Sequence, residues 1–194
     1  MSTNKDAAKQ SLPKQIAITA ILLAICIASQ FLKNLSVYIT GPIINLCLVL
    51  AVMMAGLPWG LILAVVTPVT AFFIAASPVM QMVPGILPLI MGGNAVLVLL
   101  TALFVKPSVL KKEPYLNVYS IIGAVVSSLV KGLFMGLTIS LWLLPTFIPA
   151  ESPLSANMGV FQFTFSATQL ITALIGFVLF FALWPILRKV VKNG

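Results

Sequence analysis

The sequence predicts an all-α integral membrane protein with six transmembrane helices and both termini in the cytoplasm. Three observations lead there: an apolar content of 61% against 7% charged residues, six apolar runs of bilayer-crossing length, and basic residues gathered outside those runs. An ordinary soluble domain carries roughly 45–50% apolar and about 25% charged residues. A chain of 194 residues as apolar as this one cannot cover itself with polar surface in water.

A membrane-spanning helix needs about 17–25 mostly apolar residues. Runs of that order cover 16–32, 42–57, 58–76, 86–105, 117–144 and 161–187. Gly56-Leu57-Pro58-Trp59-Gly60 separates the second from the third, and Gly and Pro favour a tight turn there. One helix through both would run about 35 residues, too long for a hydrocarbon core of roughly 30 Å. The whole chain, 1–194, is read as one transmembrane domain. Its polar tail, 1–15, carries Lys5, Asp6, Lys9 and Lys14. No A-x-A-like cleavage site follows the first run, so the tail is expected to be cytoplasmic and not a signal peptide.

Orientation follows from the cations. The tail, the 106–113 connection with Lys106, Lys111 and Lys112, and the end with Arg188, Lys189 and Lys192 are basic, whereas the 145–160 connection carries only Glu151. With six spans all three basic segments fall on one side, which the positive-inside rule makes cytoplasmic. The net charge of +8 is therefore read as a topology signal, and no nucleic-acid partner is expected. The connections 33–41, 77–85 and 145–160 face outward on this reading, as connectors or as a lid over an outward pocket.

Most chemistry is missing. The chain has no histidine, and Asp6, Glu113 and Glu151 all lie outside the spans. That leaves no carboxylate pair, no Ser-His-Asp set and no metal-ligand cluster. No G-x-x-x-x-G-K-[ST] loop is present for ATP. The expectation is a protein that is not an enzyme and holds no cofactor or metal. Cys26 and Cys47 fall inside apolar runs and are read as packing residues.

Lys131 lies inside the fifth run. A charge there costs about 2.5–3.5 kcal/mol to insert, which makes it a functional-site candidate, against the plainer reading of a snorkelling or carbonyl-bonded lysine. At about 1.5 Å per residue it sits roughly 21 Å from the cytoplasmic start of its helix and roughly 10 Å below the outer face. By the same rise Asn94 lies roughly 12 Å and Gln169 roughly 10 Å down from outside, with Gln30 at a similar level. Each alone serves as an interhelical hydrogen bond in many membrane helices; with Lys131 they outline a polar floor. Ser127, Ser128, Met135 and Thr138 share the Lys131 face, which is expected to line the pocket, with both serines as ligand contacts. Gly132 and Gly136 are read as close helix packing. Trp142, Phe147, Phe161 and Phe163 are interfacial aromatics or walls for a flat ligand. One intramembrane cation and no anion favours an anionic or carbonyl-rich ligand over a cationic one.

The first run carries Ala20, Ala24 and Ala28, a ridge on which another helix can approach closely, within this chain or from a partner. A six-span chain of this size with that stripe, basic ends and an outer polar layer resembles the substrate-binding S components of energy-coupling factor (ECF) transporters. In that family the matching alanines dock on a transmembrane T component coupled to two ATPase subunits. The S component itself captures a vitamin or related micronutrient from outside. Asn94 and Ser128-x-x-Lys131 are similar to ligand-contacting positions of riboflavin-type members. The resemblance thus implies a substrate-binding subunit in the cell membrane. The partners it implies are a vitamin-like small molecule, the T component, two ATPases and the lipid bilayer. Alternatives are a membrane assembly or structural protein without a small ligand, and an autonomous carrier, which the missing acidic residues weaken.

Overall fold

The structure is a computed structural model that describes residues 11–32, 36–111 and 114–192. Six of its helical segments are long and apolar enough to cross a membrane, and no strand occurs among the described residues. The first three spans are α1 (Leu12–Gln30), α2 (Val37–Met54) and α3 (Leu57–Ala75). A short α4 (Pro78–Met82) leads to the fourth span, made of α5 (Ile86–Leu100), a π-helical stretch (Thr101–Val105) and α6 (Lys106–Lys111). The fifth joins α7 (Val118–Met135), a π-helical stretch (Gly136–Leu143) and α8 (Leu144–Phe147). The sixth begins with a 3-10 turn (Ser155–Asn157) and α9 (Met158–Thr164), breaks at Phe165 and Ser166, and continues as α10 (Ala167–Lys192).

Local chemistry sets these boundaries. Ser36 caps α2, its hydroxyl accepting the Tyr38 N–H at 3.1 Å. The helix therefore starts five residues ahead of the apolar run, and Pro42 lies inside it. Between α2 and α3 only Gly56 adopts positive φ, at 109°, a conformation that costs a residue without Cβ little. Pro58 follows in the first turn of α3, where its missing N–H is not needed. Asn117 and Ser120 cap α7 reciprocally, each side chain accepting the other's backbone N–H at 3.0 Å.

Short connections make successive spans alternate in direction. Among the described residues, Lys14, Lys106, Lys111, Arg188 and Lys189 belong to one end of the bundle and Glu151 to the other. Tail residues 1–10, with Lys5, Asp6 and Lys9, lie outside the described residues, as do Lys112 and Glu113. At the basic end, the Lys106 ammonium donates to the Val52 carbonyl at 2.8 Å and satisfies the last turn of α2.

α7 is built inside out for water. Its buried face holds Ser120, Ser127, Ser128 and Lys131, while Ile121, Ile122, Val125, Leu129 and Leu133 are exposed. A polar inner face and an apolar outer one suit hydrocarbon surroundings. α2 is the central helix, 56% of it buried against 22% of α1. It packs closely on α10: a Cβ added to Gly176 would stand 2.8 Å from the Asn45 Cβ and 3.1 Å from the Leu46 nitrogen. Two apolar cores result, one with Leu48, Leu63, Leu97, Phe177 and Trp184, the other with Val79, Ile86, Met135, Ile139 and Phe165. On α5 and α7 the polar residues Asn94 and Lys131 fall between the members of these two cores.

Candidate functional site

Lys131 is 2% exposed. Its ammonium donates to Asn45 Oδ1 at 2.6 Å and to Asn94 Oδ1 at 2.8 Å. Three spans, α2, α5 and α7, are thereby tied at one point. Hydrogen bonds of this charge-assisted kind are roughly twice as strong as neutral ones, and they offset part of the insertion cost of the lysine. The Asn45 amide nitrogen reaches Thr172 Oγ1 on α10 at 3.4 Å, and Thr172 in turn donates to the Gln169 carbonyl at 3.3 Å.

Beside this cluster lies a cavity of about 480 Å³, within the size range of small-molecule sites, roughly 300–1,000 Å³. Its polar lining is Gln30, Thr40, Asn45, Thr67, Ser77, Asn94, Lys131, Thr164 and Gln169. Ile44, Ala71, Ile90, Phe161 and Phe165 supply apolar wall, and 75–80 with Val160 border it at the loop end. Gln30 donates through Nε2 to the Thr67 carbonyl at 3.0 Å, while its Oε1 is buried with no hydrogen-bond partner. Gln169 donates to the Thr164 carbonyl at 3.2 Å across the α9–α10 break.

Of the residues singled out in the sequence, Lys131, Asn94, Gln30 and Gln169 come together on this one cavity. Ser127 and Ser128 do not line it. Their hydroxyls donate to the Gly123 carbonyl at 2.6 Å and the Ala124 carbonyl at 2.9 Å, one turn back in their own helix, the usual way a buried serine is satisfied in a span. Trp142 is 58% exposed, and Phe147 and Phe163 are exposed as well; of those aromatics only Phe161 reaches the cavity. Met135 is buried in the second core. Gly132 and Gly136 do pack closely, against Leu170 and Ser166. A shallow groove beside them is lined mainly by Leu129, Leu133, Leu137 and Phe163, and the Gln162 and Ser140 groups along it bond each other. Cys26 and Cys47 are free and buried.

Sequence reasoning missed Asn45. Counted from Pro42, where the apolar run starts, it lies about 4.5 Å deep; counted from the true start at Val37, about 12 Å, level with Asn94. The Ser36 cap was the available signal. Ala20, Ala24 and Ala28 are all exposed on α1, so the described residues do not bury the ridge. Comparison with family models, with curated proteins and with solved structures finds no match for the chain.

Proposed function

We propose that the chain is the substrate-binding subunit of an ATP-driven importer of the ECF type, seated in the cell membrane. It takes a vitamin or related small micronutrient from outside and docks on a transmembrane T component coupled to two ATPase subunits. The observation that carries this reading is the cavity. It is of small-molecule size, lies among six apolar helices, and has a buried lysine and two asparagines at its base. Intramembrane ionisable residues mark substrate paths more often than structure. The exposed alanine ridge on α1 supports the docking half, because three small side chains on an outward face let a partner helix approach closely. On this reading the loop end, with Glu151, faces outside and the basic end faces the cytoplasm. The chain performs no chemistry of its own, and ATP is hydrolysed by its partners.

The test is direct. The purified chain in detergent, released from resin and extracted with denaturing solvent, should yield a stoichiometric small molecule by mass spectrometry. If exhaustive exposure to culture medium and cell extract leaves nothing bound, the chain is not a binding subunit.

A further inference from the structure

We propose that the cavity selects a small monoanion whose carboxylate sits against Lys131 and Asn94; this rests on the binding reading above and specifies the ligand's chemistry.

The Lys131 ammonium has three N–H donors. Two are taken by Asn45 and Asn94, both neutral. The third has no acceptor among the described residues, and Lys131 lines the cavity. Its charge is also uncompensated: the only acid among the described residues is Glu151, exposed in the connection after α8. Asn94 is 4% exposed and gives its oxygen to Lys131, and its amide hydrogens meet no acceptor among the described residues. The cavity base thus presents one ammonium N–H and one amide NH₂ next to each other.

Two donors side by side match the two oxygens of one carboxylate. The single positive charge matches its single negative charge. In apolar surroundings that attraction is far stronger than in water. A phosphate monoester carries about −1.5 to −2 and three acceptor oxygens, more than one ammonium and one amide can satisfy. A cationic ligand meets Lys131 as a like charge. Gln30 Oε1 is the wall's buried, unpaired acceptor. It asks for an N–H or O–H elsewhere on the ligand, because a buried polar group left unpaired costs about 1–3 kcal/mol. The ligand class is therefore a carboxylic acid with one further hydrogen-bond donor and an apolar body to lie along Ile44, Ala71 and Ile90.

The experiment uses the full chain, immobilised in detergent, and a low-molecular-mass cell extract split in two. One half is untreated; in the other, carboxylates are converted to methylamides with carbodiimide and methylamine. Retained compounds are identified by mass spectrometry. The expected result is a carboxylic acid retained from the untreated half and missing from the amidated half. Lys131→Met should reduce its retention by roughly ten- to a hundredfold. Asn94→Asp, which places the protein's own carboxylate beside Lys131, should abolish retention while keeping or raising the melting temperature, so that misfolding does not account for the loss. Retention of the same compound from both halves overturns the inference while leaving the binding reading intact. So does a retained compound that is neutral, cationic or a phosphate ester. An empty eluate from both halves with the unmutated chain overturns both.

Discussion

Replacing Asn45 with leucine tests the geometry on which the site rests. Leucine keeps the bulk between α2 and α10 and deletes the oxygen that accepts from Lys131 at 2.6 Å. A hydrogen bond to a charged group contributes about 1.5–3 kcal/mol; the second Asn45 bond, to Thr172 at 3.4 Å, is long and adds little. For a chain of this length about 1 kcal/mol moves the melting temperature by roughly 2–4 °C, so Asn45→Leu should lower it by roughly 3–12 °C. In a Lys131→Met background the outcome reverses. Asn45 has then lost its donor, and exchanging its unpaired buried oxygen for a methyl should cost nothing or stabilise. The assay is thermal unfolding in detergent of the parent, both single variants and the double variant. The coupling free energy should be about 1.5–3 kcal/mol. Additivity within about 0.5 kcal/mol would refute the view that Asn45 acts by holding the ammonium.

Four further outcomes are expected. Ala24→Trp puts an indole on the exposed face of α1; the melting temperature and small-molecule retention should hold, while co-isolation of a transmembrane partner and ATPases is lost, and a matching fall in stability would place the ridge in the chain's own packing. Single cysteines at Lys111 and Glu151 should be labelled by impermeant maleimide from opposite sides of the membrane; labelling from the same side would end the six-span topology. Gly176→Leu should cost at least about 1–3 kcal/mol by overpacking and lower small-molecule retention, since its Cβ would stand 2.8 Å from the Asn45 Cβ and 3.1 Å from the Leu46 nitrogen, inside van der Waals contact, and so displace Asn45. Gly159→Ala, with open space around it, should change neither stability nor retention.

Depth was legible in the sequence because it is one-dimensional. Each helical residue advances about 1.5 Å, so counting from a loop places Asn94, Lys131 and Gln169 at one level whatever the helices do sideways; Gln30 ends α1, so the count leaves it near the outer face, and only the packing of the helices brings its side chain to the cavity. Depth fails only where the starting residue is misplaced, as at Asn45. Rotation about the axis was less legible. Trp142 follows Lys131 by eleven positions, about three turns at 3.6 residues each, which would return it to the same face. The π-helical stretch Gly136–Leu143 has wider turns and shifts the phase, burying Ile139, Ser140 and Leu143 and leaving Trp142 outside.

By itself, then, the sequence determined the all-helical class, six helices long and apolar enough to cross a membrane, and the level shared by Asn94, Lys131 and Gln169. Each of these depends on composition, run length and rise per residue along a single helix. Tertiary structure decided which polar groups meet. Ser127 and Ser128 satisfied themselves on their own backbone, whereas Lys131 donates two of its three N–H groups to oxygens from α2 and α5. Whether a buried group is paired depends on which faces of separate helices come together, and here glycines set that distance: Gly176 lets α10 close on Asn45, and Gly132 lets α7 close on Leu170. Among the described residues, the same packing left the alanines of α1 exposed and the Gln30 oxygen without a hydrogen-bond partner.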